Sequence, residues 1–275
     1  MTLHHDDFES AIQALGLQDK CVEIHSSFKS FGCQVDGGAQ TVIDSFLDEN
    51  CTVLVFAGSY MYEVYPPPDL RPLRNGAGDY SYFTDRAYDA PKTFTTTGND
   101  ISRDDMGLIP YTLVNMPSRK RGYNPLNSFA AVGTLADQLV REQSATDVFA
   151  PLRKLYELDG AVVLMGVGLN NATIIHYAEQ LAGRAPFVRW ANNPQGKPAI
   201  CNTGSCSNGF NRLADSLKET EKNITVGNSL WRCFPARAMV DACVDAIKSN
   251  PEVTHCANPH CDRCHDAVLG GPIWA

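Results

Sequence analysis

Short apolar runs set between amphipathic segments constrain this 275-residue chain more than any other feature. Cys21-Val-Glu-Ile24, Thr52-Val-Leu-Val-Phe56, Ser128-Phe-Ala-Ala-Val132 and the run from Ala161 to Val167 read as strands. Residues 7–16, 41–47, 135–141, 151–158, 172–183 and 236–248 carry apolar side chains at helical spacing. In the first these are Phe8, Ile12, Ala14 and Leu15; in the last, Met239, Val240, Cys243, Val244 and Ile247. Strands alternating with helices imply an α/β fold, a layered sheet flanked by helices. Further helices are expected over 106–116 and 210–217, and a hairpin over 184–200. The long stretch 58–104 reads as irregular, and its tyrosines argue for an ordered, functional segment over a disordered one.

With 44% hydrophobic residues, the chain can bury a substantial core. A break is expected near residue 250, leaving a main domain over 1–250 and a Cys/His-rich tail over 251–275. No apolar run approaches the ~18 residues of a membrane span, and Met-Thr-Leu-His-His-Asp-Asp is unlike a signal peptide. The expected compartment is therefore the cytoplasm, with no membrane partner. The formal charge of −8, from 31 acidic against 23 basic residues, argues against nucleic acid. It suits a small cationic partner, although acidity also serves solubility alone. Homo-oligomerisation stays open.

The chemistry concentrates in Val163-Leu-Met-Gly-Val-Gly-Leu-Asn-Asn-Ala-Thr-Ile-Ile-His-Tyr-Ala-Glu179, a strand, a turn and a helix. His176 and Glu179 are three apart, hence neighbours on that helix. A carboxylate that orients an imidazole makes a general base. The competing reading is an ordinary pair on a solvated face: Ile174, Ile175, Ala178, Leu181 and Ala182 fill one arc, and Thr173, His176, Tyr177, Glu179 and Gln180 the other.

Ten cysteines need an explanation in a reducing compartment. Cys21, Cys33 and Cys51 read as small core residues. The tail packs Cys256, Cys261, Cys264 and three histidines into eleven residues. Cys261-x-x-Cys264 presents two thiolates to one tetrahedral ion, and Cys256 lies near enough to give a third. Cys206, His260 or His265 could complete the set. Zinc here is expected to be structural, stapling an irregular tail onto the main domain. Glu63, Asp69, Asp79 and Tyr80, with Asp100, Asp104 and Asp105 behind them, are candidates for contacting a cationic sugar: carboxylates for ammonium groups, rings for sugar faces.

His25-Ser-Ser-Phe-Lys-Ser-Phe-Gly32 with Gly37-Gly-Ala-Gln-Thr-Val-Ile43 resembles the opening motif of the aminoglycoside 3-N-acetyltransferase family. Asn124-Pro-Leu-Asn-Ser-Phe-Ala-Ala-Val-Gly133 resembles its middle motif. Leu155-Tyr-Glu-Leu-Asp-Gly160 and Leu164-Met-Gly-Val-Gly168, leading into Thr173-x-x-His176-x-x-Glu179, resemble its catalytic segment. The resemblance implies an acetyltransferase fold distinct from the GNAT type and acetyl transfer from acetyl-CoA to a primary amine. It implies His176 as general base with Glu179 as its companion, and His25, Ser26, Ser27, Phe28, Ser128, Phe129 and Thr173 around acetyl-CoA. Two positions depart from the family. Asn124 stands where members commonly carry histidine, and Cys206 where relatives often supply an acid. Acetylation of a different small amine, or a non-catalytic zinc-dependent interaction protein, are the alternatives.

Overall fold

The computed structural model describes residues 1–76, 80 and 92–274. In chain order the elements are β1 (Thr2–Leu3), α1 (His5–Leu15), β2 (Cys21–Ser26), β3 (Gln34–Val35), α2 (Ala39–Asp48) and β4 (Thr52–Gly58). There follow α3 (Arg103–Met106), α4 (Leu108–Val114), β5 (Lys120–Arg121), β6 (Asn127–Val132), α5 (Ala136–Val140) and α6 (Ala150–Glu157). The second half contains β7 (Ala161–Met165), α7 (Ile174–Leu181), β8 (Phe187–Asn192), β9 (Pro198–Thr203) and α8 (Ala214–Leu217). It closes with β10 (Lys222–Val226), β11 (Ser229–Pro235), α9 (Ala236–Ser249) and α10 (Asp262–Val268).

Seven strands form one sheet in the order β10-β11-β7-β2-β4-β6-β5. β2 pairs parallel with both β4 and β7, while β11 and β6 join these antiparallel. Successive strand side chains point to opposite faces, which sorts the apolar runs into two cores. Val22, Ile24, Val53, Val55, Val163 and Met165 meet Phe8, Ile12, Val42, Phe46 and Leu113 of α1, α2 and α4. Cys21, Leu54, Val162 and Leu164 meet Leu139, Leu152, Ile175 and Met239 of α5, α6, α7 and α9. A strand buried on both faces needs apolar residues at every position, and that is why these runs are continuous rather than alternating. The result is the expected sheet flanked by helices.

Several expectations are corrected. The helix expected over 106–116 is two helices, α3 and α4, parted at Gly107, whose φ of 85° a helix does not accept. Ala14 is exposed, and Ala11 takes its place on the buried face of α1. Cys33 is half-buried, whereas Cys21 and Cys51 are core residues as expected. The helix read over 172–183 begins only at Ile174, after a 3₁₀ turn over Leu169–Asn171. Part of its polar arc is buried rather than solvated: His176 is 8% exposed and Glu179 3%, although Gln180 stays exposed, while Leu181, assigned to the apolar arc, is 43% exposed. β10 and β11 have no counterpart in the sequence reading, yet β11 lies inside the sheet beside β7.

β2 is where the strand order turns, with β4 on one side and β7 on the other. In open α/β sheets such a switch leaves a crevice beyond the carboxyl ends of the strands. The register Ser26↔Met165 brings the ends of β2 and β7 together there. The β8–β9 hairpin is tied to the 60s segment by a bond from Val64 N to Trp190 O of 2.8 Å and a bridge between Glu63 and Ala191. It brings Arg189 and Thr203 to the same crevice.

Candidate active site

α7 follows β7 after the 3₁₀ turn over Leu169–Asn171, and its first turn delivers His176 to the crevice. Nδ1 of His176 lies 2.7 Å from Oε2 of Glu179, one turn further on. The same oxygen accepts a bond of 2.6 Å from Ser205 Oγ, and the other, Oε1, accepts one of 2.6 Å from Arg184 Nη1. Burial alone would raise the Glu179 carboxyl. The hydrogen bonds from His176 and Ser205 and the Arg184 charge outweigh it and hold the group below the ordinary carboxylate range. The imidazole is pinned between Phe149, stacked at 6.0 Å, and Phe210, edge-on at 4.8 Å. Its Nε2 edge faces Gly204, where an added Cβ would stand 2.7 Å from Nε2. A glycine there leaves that nitrogen uncovered.

His176 opens onto a cleft of about 660 Å³, within the size range of small-ligand sites. Of the sequence candidates, His25, Ser26, Thr173 and Glu63 line it with His176, as does Asp105. Glu179 stands behind the imidazole rather than on the wall. His25 Nε2 lies 3.0 Å from the fully buried Glu23 and 3.3 Å from Thr173 N. Ser27, Phe28, Ser128 and Phe129 lie off the wall. Phe28 packs edge-on against Phe31, Phe129 is fully buried against Phe56, and Ser128 Oγ donates to Ala57 O at 2.7 Å. Asp69 is exposed in a 3₁₀ turn, away from the cleft. Tyr80 donates to Pro72 O at 2.7 Å and packs edge-on against Trp190. Asp79 lies outside the described residues.

Sequence reasoning missed Ser205, Gly204, Arg184 and Glu23, together with Arg189 and Arg263 on the cleft wall. Glu23 left a trace, as the one acid in an apolar strand. Ser205 left none, since it meets Glu179 from 26 positions away.

The profile of the family described as aminoglycoside 3-N-acetyltransferase matches residues 24–248. The chain belongs to the aminoglycoside 3-N-acetyltransferase family. It is 31% identical over 189 residues to aminoglycoside N(3)-acetyltransferase III of a Salmonella species, a match spanning 66% of this chain and 61% of that relative. The crystal structure of the aminoglycoside acetyltransferase AAC(3)-IVa apoenzyme superposes with a TM-score of 0.78 at 20% identity, covering 98% of each chain. A mutant of the same enzyme has been solved in complex with a gentamicin. AAC-IIIb, solved as a binary complex with CoASH, superposes with a TM-score of 0.71 at 19% identity, over 90% of this chain and 97% of that one.

Asn124, the first of the two departures expected from the sequence, is fully buried and knots three segments together. Its Nδ2 donates to Ala145 O and Asn202 O, both at 3.2 Å, and its Oδ1 accepts from Asn127 N at 2.8 Å. The second departure has a different outcome. The sulfurs of Cys206, Cys256, Cys261 and Cys264 all lie within 4.8 Å of one another. A tetrahedral zinc with Zn–S bonds of ~2.3 Å sets its sulfurs about 3.8 Å apart, a spacing within that limit. His260 and His265 are both exposed, outside this group. Burial raises the Cys206 and Cys264 thiols above their ordinary value, so a cation is what would ionise them. Cys256 N donates to Cys264 Sγ at 3.3 Å, the kind of bond that orients a thiolate ligand.

Proposed function

We propose that this chain transfers the acetyl group of acetyl-CoA to a primary amine of a cationic, aminoglycoside-like molecule, by direct attack with His176 as general base. The observation that carries the reading is the 2.7 Å contact between Glu179 and His176, whose ring lines an open cleft. With the Nδ1 proton held by Glu179, Nε2 is free to accept one. The amine nitrogen attacks the thioester carbonyl and forms the C–N bond as its proton passes to His176; the C–S bond then breaks, and CoA leaves as a thiolate that takes the proton from His176. Ser26 lines the cleft and its Oγ has no partner among the described residues, which supports it as a hydroxyl donor to the oxyanion once the substrate is bound. His25, Ser26 and Thr173 are the candidates whose position supports contact with the cofactor, and Glu63 with Asp105 those whose position supports contact with an ammonium group. The CoASH bound by AAC-IIIb and the gentamicin bound by AAC(3)-IVa support the same pair of substrates.

The proposal includes a structural zinc on Cys206, Cys256, Cys261 and Cys264, with 251–275 as a tail docked on a main domain over 1–250. A reducing, cytoplasmic compartment would keep four such thiolates available as ligands. A different small amine is the second reading, favoured by Arg189 and Arg263, whose charges stand on the cleft wall beside Glu63 and Asp105. The non-catalytic alternative is not favoured, because a buried, fully bonded His–Glu pair opening on a cleft is costly to keep without use.

Thiol release from acetyl-CoA, measured with a panel of aminoglycosides and simple diamines, tests the reading. His176→Ala is expected to lower kcat by roughly 10²–10⁴-fold. Wild-type turnover in that variant, or no thiol release with any amine, would remove it.

A further inference from the structure

The cysteine cluster does not merely hold the tail down. α10 is anchored without it: the fully buried Asp266 accepts from Gly76 N at 2.7 Å and pairs with Arg74 at 2.6 Å. Ala185 N donates to Gly270 O at 2.8 Å, and Ile273 N to Arg74 O at 2.9 Å. What the cluster adds is a link to Cys206, the one ligand outside the tail. Cys206 directly follows Ser205, whose Oγ donates to Glu179, and Gly204, which lies against the Nε2 edge of His176. Arg263, between the two ligands of the Cys261-x-x-Cys264 turn, donates to Ser205 O at 2.8 Å and lines the cleft. On the other side of the pair, Arg184 bridges Glu179 Oε1 to Thr254 Oγ1 at 2.7 Å and to Pro251 O.

We propose that zinc held by Cys206, Cys256, Cys261 and Cys264 positions the Gly204–Ser205 turn beneath the His176–Glu179 pair, making the metal centre a determinant of turnover that never touches substrate. The inference rests on the zinc reading above. With the ion in place, Cys206 is fixed to α10 and Ser205 Oγ is held on Glu179 Oε2. Without it the tail stays docked through Asp266 and Gly270, and Arg263 still reaches Ser205 O, but the turn loses its tether at Cys206. Glu179 then loses one of the donors that fix its orientation, and His176 loses a stationary acceptor for its Nδ1 proton. Ser205 is thus a positioning residue, acting through Glu179.

The test begins with zinc content of the full-length protein, for which one ion per chain is expected. Zinc is then stripped by a chelator in the presence of a reductant, and kcat, KM and far-UV circular dichroism are followed. The expected result is a fall in kcat of tenfold or more, a KM for acetyl-CoA within about twofold, an unchanged spectrum, and recovery on adding stoichiometric zinc. Cys264→Ser should behave as the stripped protein. Cys264→His, which keeps a Cys₃His ligand set, should retain both zinc and turnover. Ser205→Ala should keep its zinc yet show the same loss, and stripping it should cause little further loss, because the two changes act through one contact. The low-field Nδ1 proton of His176, assigned by its absence in His176→Ala, should disappear on stripping and return with zinc, a readout independent of turnover. Absence of zinc from the purified protein would remove the metal site itself. Bound zinc whose removal leaves both kcat and the Nδ1 signal intact would overturn the positioning role alone, as would losses from stripping and Ser205→Ala that simply multiply.

Discussion

Glu179 shows how a single residue's surroundings decide its use. A carboxylate 3% exposed would ordinarily take up a proton, yet this one accepts from His176, Ser205 and Arg184 and is held below the usual range. In the unfolded chain it reverts to the ordinary value of 4.5. Between that value and the lower folded one the unfolded state binds more protons, so stability rises with pH. The contribution is complete above about pH 4.5 and is lost as pH falls through the folded value. Removing one partner of a buried pair costs about 3–5 kcal/mol, which is the expected loss for Glu179→Gln at neutral pH. Urea denaturation of both proteins from pH 7 down to pH 3 checks this. The wild-type advantage should narrow on the acid side, and a constant gap would contradict the assignment. The pair was legible in the sequence because helical spacing makes neighbours of residues three apart. Ser205 and Arg263 were not legible, since only the folded sheet brings them there. Asn124, in sequence a missing histidine, is in the fold a buried knot of hydrogen bonds.

At the scale of elements, most strands and helices were readable because apolar period and length agree. β11 is the instructive failure. Trp231 and Cys233 face one core and Phe234 the other, while Leu230 is 47% exposed, so no clean alternation marks the strand. The available signal was Gly227-Asn228, a two-residue loop between β10 and β11 with Gly227 at φ 60°. Trp231 is fully buried and stacks on Phe8 at 6.2 Å and Phe46 at 6.1 Å, binding α1 and α2 to the sheet. Trp231→Ala is expected to cost about 3–5 kcal/mol by leaving a cavity the flat rings cannot collapse into. Chemical denaturation should show that loss through a lower midpoint, and a change below ~1 kcal/mol would mean that β11 is peripheral.

For the whole molecule, the tail and the main body are interlocked through polar contacts. Thr254 and Pro251 complete the shell of Arg184, and Asp266 receives Gly76 N and Arg74. Truncation after residue 250 therefore strips Arg184 of two acceptors and uncovers the face that Cys264 and Ala267 bury. The truncated chain is expected to have a lower Tm and at least tenfold lower kcat, by calorimetry and steady-state kinetics. Full activity would show that residues 251–275 are dispensable to the cleft. The sequence marked this region by cysteine density and offered Cys206 as one candidate fourth ligand, but it gave no sign that Ser205, next to Cys206, meets Glu179.

That junction has a pharmacological consequence. If the proposed function holds, an inhibitor need not compete for the cleft at all. Under the zinc and positioning proposals above, an electrophile or zinc ejector attacking at Cys256 or Cys261 would disable the imidazole from behind without entering the cleft.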